Sequence, residues 1–449
     1  MPATDARAPR LKRRALRQTL LAVALALGGT LPAWSQSLKE LYEAARAYDA
    51  TYLAARAQAQ TAEYKVAQAE AGLKPNASFL ATANTTLLHA PIGGTGDSNS
   101  LGASLRGRYP LINRSTEAQI AQARKGLDSA RADLEAAEQD LIVRVAQAYF
   151  DVLAAQDTLA TTRTSKAAIT EQLASAKRNF EVGTATITDT REAQARFDLA
   201  SAQEIAAEND LRSKRIALDQ LVGRAGVTPL PLAAPVNLPP VLPTDPEAWV
   251  GVADGAHPNV RRARVGVETA QLETQKARAA ELYTLDAVGS MGATRASGGS
   301  VSLPGTTTSA TVGVEFSLPL YTGGATQARI KETLVLEEKA RQDLEAARRG
   351  VAQATRVSFF GVQSGQAQVK ALEAAESSSK LALEATQLGY RVGVRVNLDV
   401  LNAQTQLYQT QRDLAKARYD VLVGGLRLRQ ASGQLSPSDL DAVNGMLAR

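Results

Sequence analysis

The sequence predicts a mainly helical, internally duplicated chain in which each half contributes a pair of membrane-type β-strands and one very long helix. Three observations predict this class: the chain matches itself at a spacing of about 210 residues, four stretches alternate apolar and polar side chains, and two stretches run for some 65 residues almost without glycine or proline.

Taken in chain order, residues 1–35 hold six basic residues (Arg7, Arg10, Lys12, Arg13, Arg14, Arg17) against Asp5, and then the apolar run TLLAVALALGG. Ala33-Trp34-Ser35 supplies small residues at the −3 and −1 positions, so a secretory signal peptide ending near Ser35–Gln36 is expected. The remaining chain has 45 basic and 44 acidic residues, which excludes a nucleic-acid surface built on net positive charge. There is no cysteine, so disulfides, thiolate metal sites and an acylated-cysteine anchor are all excluded. Beyond residue 35 no stretch reaches the ~18 apolar residues of a membrane helix, so a membrane-inserted chain must enter as a β-barrel.

The duplication is clearest between FEVGTATITDTREAQARFD (180–198) and YRVGVRVNLDVLNAQTQLY (390–408). There Val182, Gly183, Asp189, Ala193 and Gln194 fall on Val392, Gly393, Asp399, Ala403 and Gln404. Pro110 and Pro319 also fall in register, as do Ala55-Arg56 and Ala263-Arg264. The expected organisation is a first repeat over 36–223, a Pro-rich linker over 224–246, a second repeat over 247–433 and a tail over 434–449. The linker's TPLPLAAPVNLPPVLPTDP forbids helix and favours extended chain.

Each repeat reads as helix, strand, loop, strand, long helix, corner, helix. From Ser100, one face takes Leu101, Ala103, Leu105, Tyr109 and Leu111, and the other Ser100, Ser104, Arg106 and Arg108. From Ser309, Ala310, Val312, Val314, Phe316 and Leu318 oppose Ser309, Thr311, Glu315 and Ser317. Segments 76–84 and 285–294 alternate less cleanly, and 89–100 and 295–308 read as turn-rich loops. Alternation over ~10 residues fits a strand with a lipid face and a lumen face.

Residues 114–182 lack proline and contain only Gly126; Ile120, Leu127, Leu134 and Leu141 repeat every seven, with Ala123, Ala130 and Ala137 three further on. Residues 325–388 behave similarly, loosened by Gly350, Gly361 and Gly365. A helix of that length is roughly 100 Å long, which a coiled-coil assembly needs and a globular core does not. Aromatics at 4% agree. Four strands cannot close a membrane barrel, since such barrels begin at about eight strands. Chains must therefore pool strands, giving eight in a dimer or twelve in a trimer.

With these elements in place, the mature chain closely resembles the TolC family of outer-membrane channels, most strongly over YRVGVRVNLDVLNAQTQLYQTQRDLAKARYDVL (390–422) and in the positions of Pro110 and Pro319. The resemblance implies a homotrimer, with a twelve-stranded β-barrel in the outer membrane continued by a twelve-helix coiled α-barrel across the periplasm. It implies docking to a periplasmic adaptor and an inner-membrane transporter of the RND or ABC type, with drug efflux or protein secretion as the task. Residue by residue, Tyr390 and Arg395 resemble the family's gate residues on the inner helix pair, with Thr188 and Asp189 as their partners on the neighbouring coil. Asp399 matches a constriction carboxylate, while Asn402 stands where a second acidic residue is usual, so a weaker cation preference is expected. Val182, Gly183, Val392 and Gly393 match the tips around which the adaptor docks, and 434–449 resembles the girdling tail.

Two other classes compete. An enzyme is disfavoured: only His89 and His257 are present, both expected to be solvated, and there is no phosphate loop, dinucleotide fingerprint or metal-spaced cluster, so no cofactor is expected. A periplasmic coiled-coil adaptor or scaffold without a pore would explain the helices and the export signal, but not two alternating hairpins at equivalent positions.

Overall fold

A computed structural model describes residues 36–90, 94–233, 235–297 and 304–448. The expected signal peptide lies outside the described residues. The first repeat comprises α1 (Leu38–Tyr48), α2 (Ala50–Ala71), β1 (Asn76–Ala90), β2 (Gly94–Ile112), α3 (Arg114–Glu181) and α4 (Ile187–Val222). The second comprises α5 (Pro246–Ala256), α6 (Pro258–Ala279), β3 (Thr284–Ser297), β4 (Gly305–Ser317), α7 (Ala325–Arg391) and α8 (Asn397–Ala431), followed by the short α9 (Asp439–Asn444). Among the described residues no helix is long and apolar enough to cross a membrane.

The four strands form one antiparallel sheet in the order β1-β2-β3-β4, leaving an unpaired edge on β1 and on β4. The strands run further than the alternation suggested: His89 pairs with Thr95 inside the ladder rather than lying in a loop, and β3 and β4 extend to Ser297 and from Gly305. Backbone pairing is indifferent to side-chain polarity, so the ladder continues through Ser, Thr and Gly where the apolar code has stopped.

The register sorts the side chains by face. One row contains Phe79, Leu105, Met291 and Ala310; toward the helices the same face continues with Ala77, Gly107, Gly289 and Val312, then Tyr109, Ala287 and Val314, then Leu285 and Phe316. The opposite face carries rows such as Ser78, Arg106, Ser290 and Thr311. On the apolar face Val312 is 92% exposed and Phe316 61%, an arrangement that water penalises and lipid rewards. From Leu101 to Leu111 the strand advances about 33 Å, and a tilt of about 40° reduces this to a band about 25 Å high, the thickness an outer-membrane barrel presents. Tyr283 stacks on Phe316 at 5.4 Å at the helix-proximal end of this band.

α3 and α7 contain 68 and 67 residues, so each is about 100 Å long. The Asn113 side chain caps α3 by accepting from the Thr116 N–H at 3.0 Å. Each long helix is flanked by two shorter ones, α2 and α4 along α3, α6 and α8 along α7, while α3 also packs on α6 and α8 and so joins the repeats. The largest core lies at mid-height, where Leu38, Leu41 and Tyr42 of α1 meet Leu141, Tyr149 and Phe150 of α3 and Tyr419 and Leu422 of α8. The linker crosses this level: the Tyr149 hydroxyl donates to the Leu230 carbonyl at 2.9 Å, and the Ala448 N–H to the Pro231 carbonyl at 2.8 Å, so linker and tail are bound together.

His257 is not the solvated histidine expected from the sequence. It is half-buried at the joint between α5 and α6, where its Nδ1 accepts from the Asn259 N–H at 3.1 Å, and burial lowers its pKa. Asp49 performs the equivalent job between α1 and α2, accepting from the Tyr52 N–H at 2.8 Å.

Candidate functional site

The two helix corners farthest from the sheet share one backbone design. Val182 caps the end of α3 and the chain turns through Gly183 at φ +80°; Val392 caps α7 and the chain turns through Gly393 at φ +81°. This left-handed conformation is open to glycine at little cost and closes the last helical turn. In the first corner the Thr184 and Ala185 N–H groups donate to the Asn179 carbonyl at 2.8 and 3.1 Å; in the second, Val394 and Arg395 donate to the Gly389 carbonyl at 2.9 and 3.2 Å.

Side chains break this symmetry. Thr186 and Asp189 form a reciprocal capping box at the start of α4: the Asp189 N–H donates to Thr186 Oγ1 at 3.2 Å, and the Thr186 N–H to Asp189 Oδ2 at 3.0 Å. The second corner has Val396 at the N-cap, so α8 begins with no side-chain cap, and Asp399 instead faces Arg395, Oδ2 to Nη1 3.6 Å. Both ends of that pair remain substantially exposed, so it contributes only about 0–1 kcal/mol.

Three contacts join the corners to each other. Asn179 Nδ2 of α3 donates to the Tyr390 hydroxyl at 3.1 Å, Gln172 donates to the buried Asn397 Oδ1, and Arg196 Nη2 of α4 donates to Asn402 Oδ1 at 3.0 Å. Between them lies a cleft of about 530 Å³ lined by Asn179, Asp189, Tyr390, Arg395 and Asn397, among others. Tyr390 also packs on the apolar cluster of Leu383, Val400 and Leu407.

Of the residues expected to form the gate, Asp189, Tyr390 and Arg395 line this cleft, and Thr188 does not. Within the chain the Arg395 guanidinium lies 3.6 Å from Asp399, Thr186 engages one oxygen of the Asp189 carboxylate, and the Tyr390 hydroxyl accepts from Asn179. Thr188 is exposed and makes no side-chain hydrogen bond among the described residues. Val182 and Val392, at the tips, are 73% and 65% exposed. Sequence reasoning missed Asn179, Gln172, Arg196 and Asn397. The usable signal was asymmetry between the repeats: Asn179 faces Gly389 in the self-match, Ala185 faces Arg395, and Glu192 faces Asn402.

Among the described residues no group of His, Asp and Glu could hold a metal ion. The family model for the outer membrane efflux protein matches residues 41–224 and 249–434, one segment per repeat. The chain is 34% identical over 431 residues to the outer membrane protein TolC of Vibrio cholerae, covering 95% of this chain and 98% of that one. It is 35% identical over 311 residues, 68% of this chain and 64% of the relative, to the alkaline protease secretion protein AprF of Pseudomonas aeruginosa. Among solved structures, the Campylobacter jejuni CmeC outer membrane channel superposes with a TM-score of 0.77 at 16% identity, covering 92% of this chain and 90% of that one, a likeness of fold. A duplicated helical chain with a lipid-faced sheet, matched in both repeats, belongs to the outer membrane efflux protein family and is an outer-membrane channel of the TolC type with a periplasmic extension.

Proposed function

We propose that three copies of this chain assemble into one exit duct, with the β4 edge of each sheet joined to the β1 edge of the next to close twelve strands, and with the helices forming a twelve-helix tunnel. The observation that supports this is the four-stranded sheet itself, apolar on one face and unpaired at both edges. A single copy would expose open backbone to lipid, where each unpaired group is costly. The lipid-faced sheet also sets aside the pore-free adaptor or scaffold reading.

The paired corners act as the gate at the periplasmic mouth. Tyr390 and Arg395 of one coil latch the mouth, with Thr188 and Asp189 available to the neighbouring coil, and Asp399 with Asn402 rings the constriction. Individual exposed contacts are worth only about 0–1 kcal/mol, but threefold repetition supplies a few kcal/mol, enough to keep the gate mostly closed yet openable by a docking partner. That partner is a periplasmic adaptor gripping the tips at Val182, Gly183, Val392 and Gly393, itself attached to an RND or ABC transporter in the inner membrane. Drug efflux and protein secretion share this duct, and the transporter selects the cargo.

Single-channel conductance in a planar bilayer tests the reading. Small, stable pores that widen severalfold in a Tyr390→Phe, Arg395→Ser double variant are expected. Pores that the double variant leaves unchanged would move the gate elsewhere, and folded assemblies without pores would sink the duct.

A further inference from the structure

Arg295 is the one charged residue on the lipid-facing rows between Leu101 and Phe316 among the described residues. The register sets it opposite Leu101 on β2 and Thr306 on β4, in the row that Ala83 completes. The adjacent row toward the helices holds Ala81, Ala103, Ala293 and Thr308; the next row outward holds Thr85, Asn99 and Ser297. Arg295 thus stands where the apolar rows give way to polar ones. Its side chain is exposed and has no hydrogen-bond or ion-pair partner among the described residues. The nearest acid on the same face is Asp97, four residues beyond Leu101 on β2 and about 13 Å further along the strand.

A guanidinium facing lipid is expensive at the bilayer midplane and almost free at the headgroup boundary, so this row marks that boundary. The two ends of the band are built differently. Toward the helices, Tyr109, Tyr283, Phe316 and Tyr321 provide aromatic anchors; the outer end offers Arg295 beside the hydroxyls of Thr306 and Thr308. Because the helices are periplasmic, the hairpin end lies in the outer leaflet. A planar guanidinium with flanking hydroxyls matches the oxygens of a phosphate group, which it can bind in a two-pronged fashion.

We propose that Arg295, with Thr306 and Thr308, holds the phosphate of a phosphorylated glycolipid of the outer leaflet, one per chain. The site anchors the barrel in depth at the end that lacks aromatics, and it is independent of the gate.

The test uses the full chain, purified and reconstituted in nanodiscs, with retained lipid counted by native mass spectrometry. The probes are bisphosphorylated lipid A and its dephosphorylated form, with inorganic phosphate as competitor. Wild type should retain about tenfold more lipid A than Arg295→Gln, the loss expected for one charge-assisted contact, with Arg295→Lys in between. The difference should vanish with dephosphorylated lipid. Equal retention by wild type and Arg295→Gln, or a difference that persists without phosphates, would overturn the assignment. Abolition of the difference by millimolar inorganic phosphate would also overturn it, as it would reveal a general anion site. Arg295→Gln removes a charge from the lipid face, so it should assemble and conduct as wild type does, which separates this test from that of the gate.

Discussion

Val396 occupies the helix-start position in the second repeat that Thr186 occupies in the first, and it cannot cap. Thr186 binds Asp189 into a closed box; Val396 leaves Asp399, the counterpart of Asp189, free to face Arg395 at 3.6 Å. One corner is thus fastened by local bonds and the other by a weak exposed pair, so the second corner is the cheaper one to move. Val396→Thr should restore the missing box, stabilise the start of α8 by about 1 kcal/mol and draw Asp399 from Arg395. Slower amide exchange at residues 396–400 would check the cap. The converse change, Thr186→Ala, should loosen residues 186–190 by a similar amount.

The Asn179–Tyr390 bond predicts non-additivity. It is a neutral, half-buried hydrogen bond joining α3 to α7, worth about 1 kcal/mol. Asn179→Ala and Tyr390→Phe should each raise the open probability of the channel by a similar factor. The double variant should add little beyond either one, because the second change finds no bond left to remove. Fully additive effects in a bilayer recording would show that the two residues act separately.

At the proposed constriction, selectivity should depend on Arg196 as well as on Asp399. Arg196 donates to Asn402 at 3.0 Å, so a positive charge stands one bond from the position where a second acid was sought. Asn402→Asp alone should shift the reversal potential in a salt gradient only slightly toward cations, since Arg196 would neutralise the new charge. Asn402→Asp with Arg196→Gln should shift it much further and make the pore more sensitive to block by multivalent cations, as each chain of the proposed trimer would then add one unneutralised carboxylate beside Asp399, which keeps its weak pair with Arg395. Equal shifts in the two variants would deny Arg196 this role.

Much of this architecture could be read from residues, and what could not has a physical reason. The heptad of Ile120, Leu127, Leu134 and Leu141 and the alternation from Ser309 to Leu318 are local patterns, and both emerge as the long helix α3 and strand β4. Strand ends were underestimated because ladder bonds are made by the backbone, which Thr306 or Ser98 supplies as well as Val312 does. At the corners, identical glycines announced the turns, but hydrogen-bond partners are chosen by three-dimensional proximity. The Thr186–Asp189 box illustrates this: a hydroxyl three residues upstream reaches the carboxylate at no cost in loop closure, and sequence matching of Asp189 to a gate role does not reveal it. His257 was assumed to be solvated because a lone histidine carries no periodicity; its N-cap role follows only when it is aligned with Asp49, a position where the repeats share a function but not a residue type.

Beside the mid-height core lies a carboxyl group, Asp157, whose pH response differs in sign from that of Asp49. Burial pushes the Asp157 carboxyl above its ordinary 3.8, partly offset by the Tyr419 hydroxyl donating to it at 2.6 Å. Asp49 is held below 3.8, chiefly by the fork of Arg144 at 2.9 and 3.1 Å. Asp157, with its folded value raised, favours the folded state while protonated and loses that contribution as pH rises from 3.8 through the folded value. Asp49, with its folded value lowered, contributes stability above 3.8 and loses it as pH falls through the folded value. Asp157→Asn keeps an acceptor for Tyr419 and removes the cost of ionising a half-buried group. Its unfolding midpoint in denaturant should therefore exceed that of wild type at pH 7, with the gap narrowing toward pH 4 as the wild-type carboxyl takes up its proton. Asp49→Asn should behave in the opposite way, destabilising most at pH 7 and least in acid. A constant gap between wild type and Asp157→Asn from pH 4 to 7 would mean that ionisation of this group is not what the fold opposes.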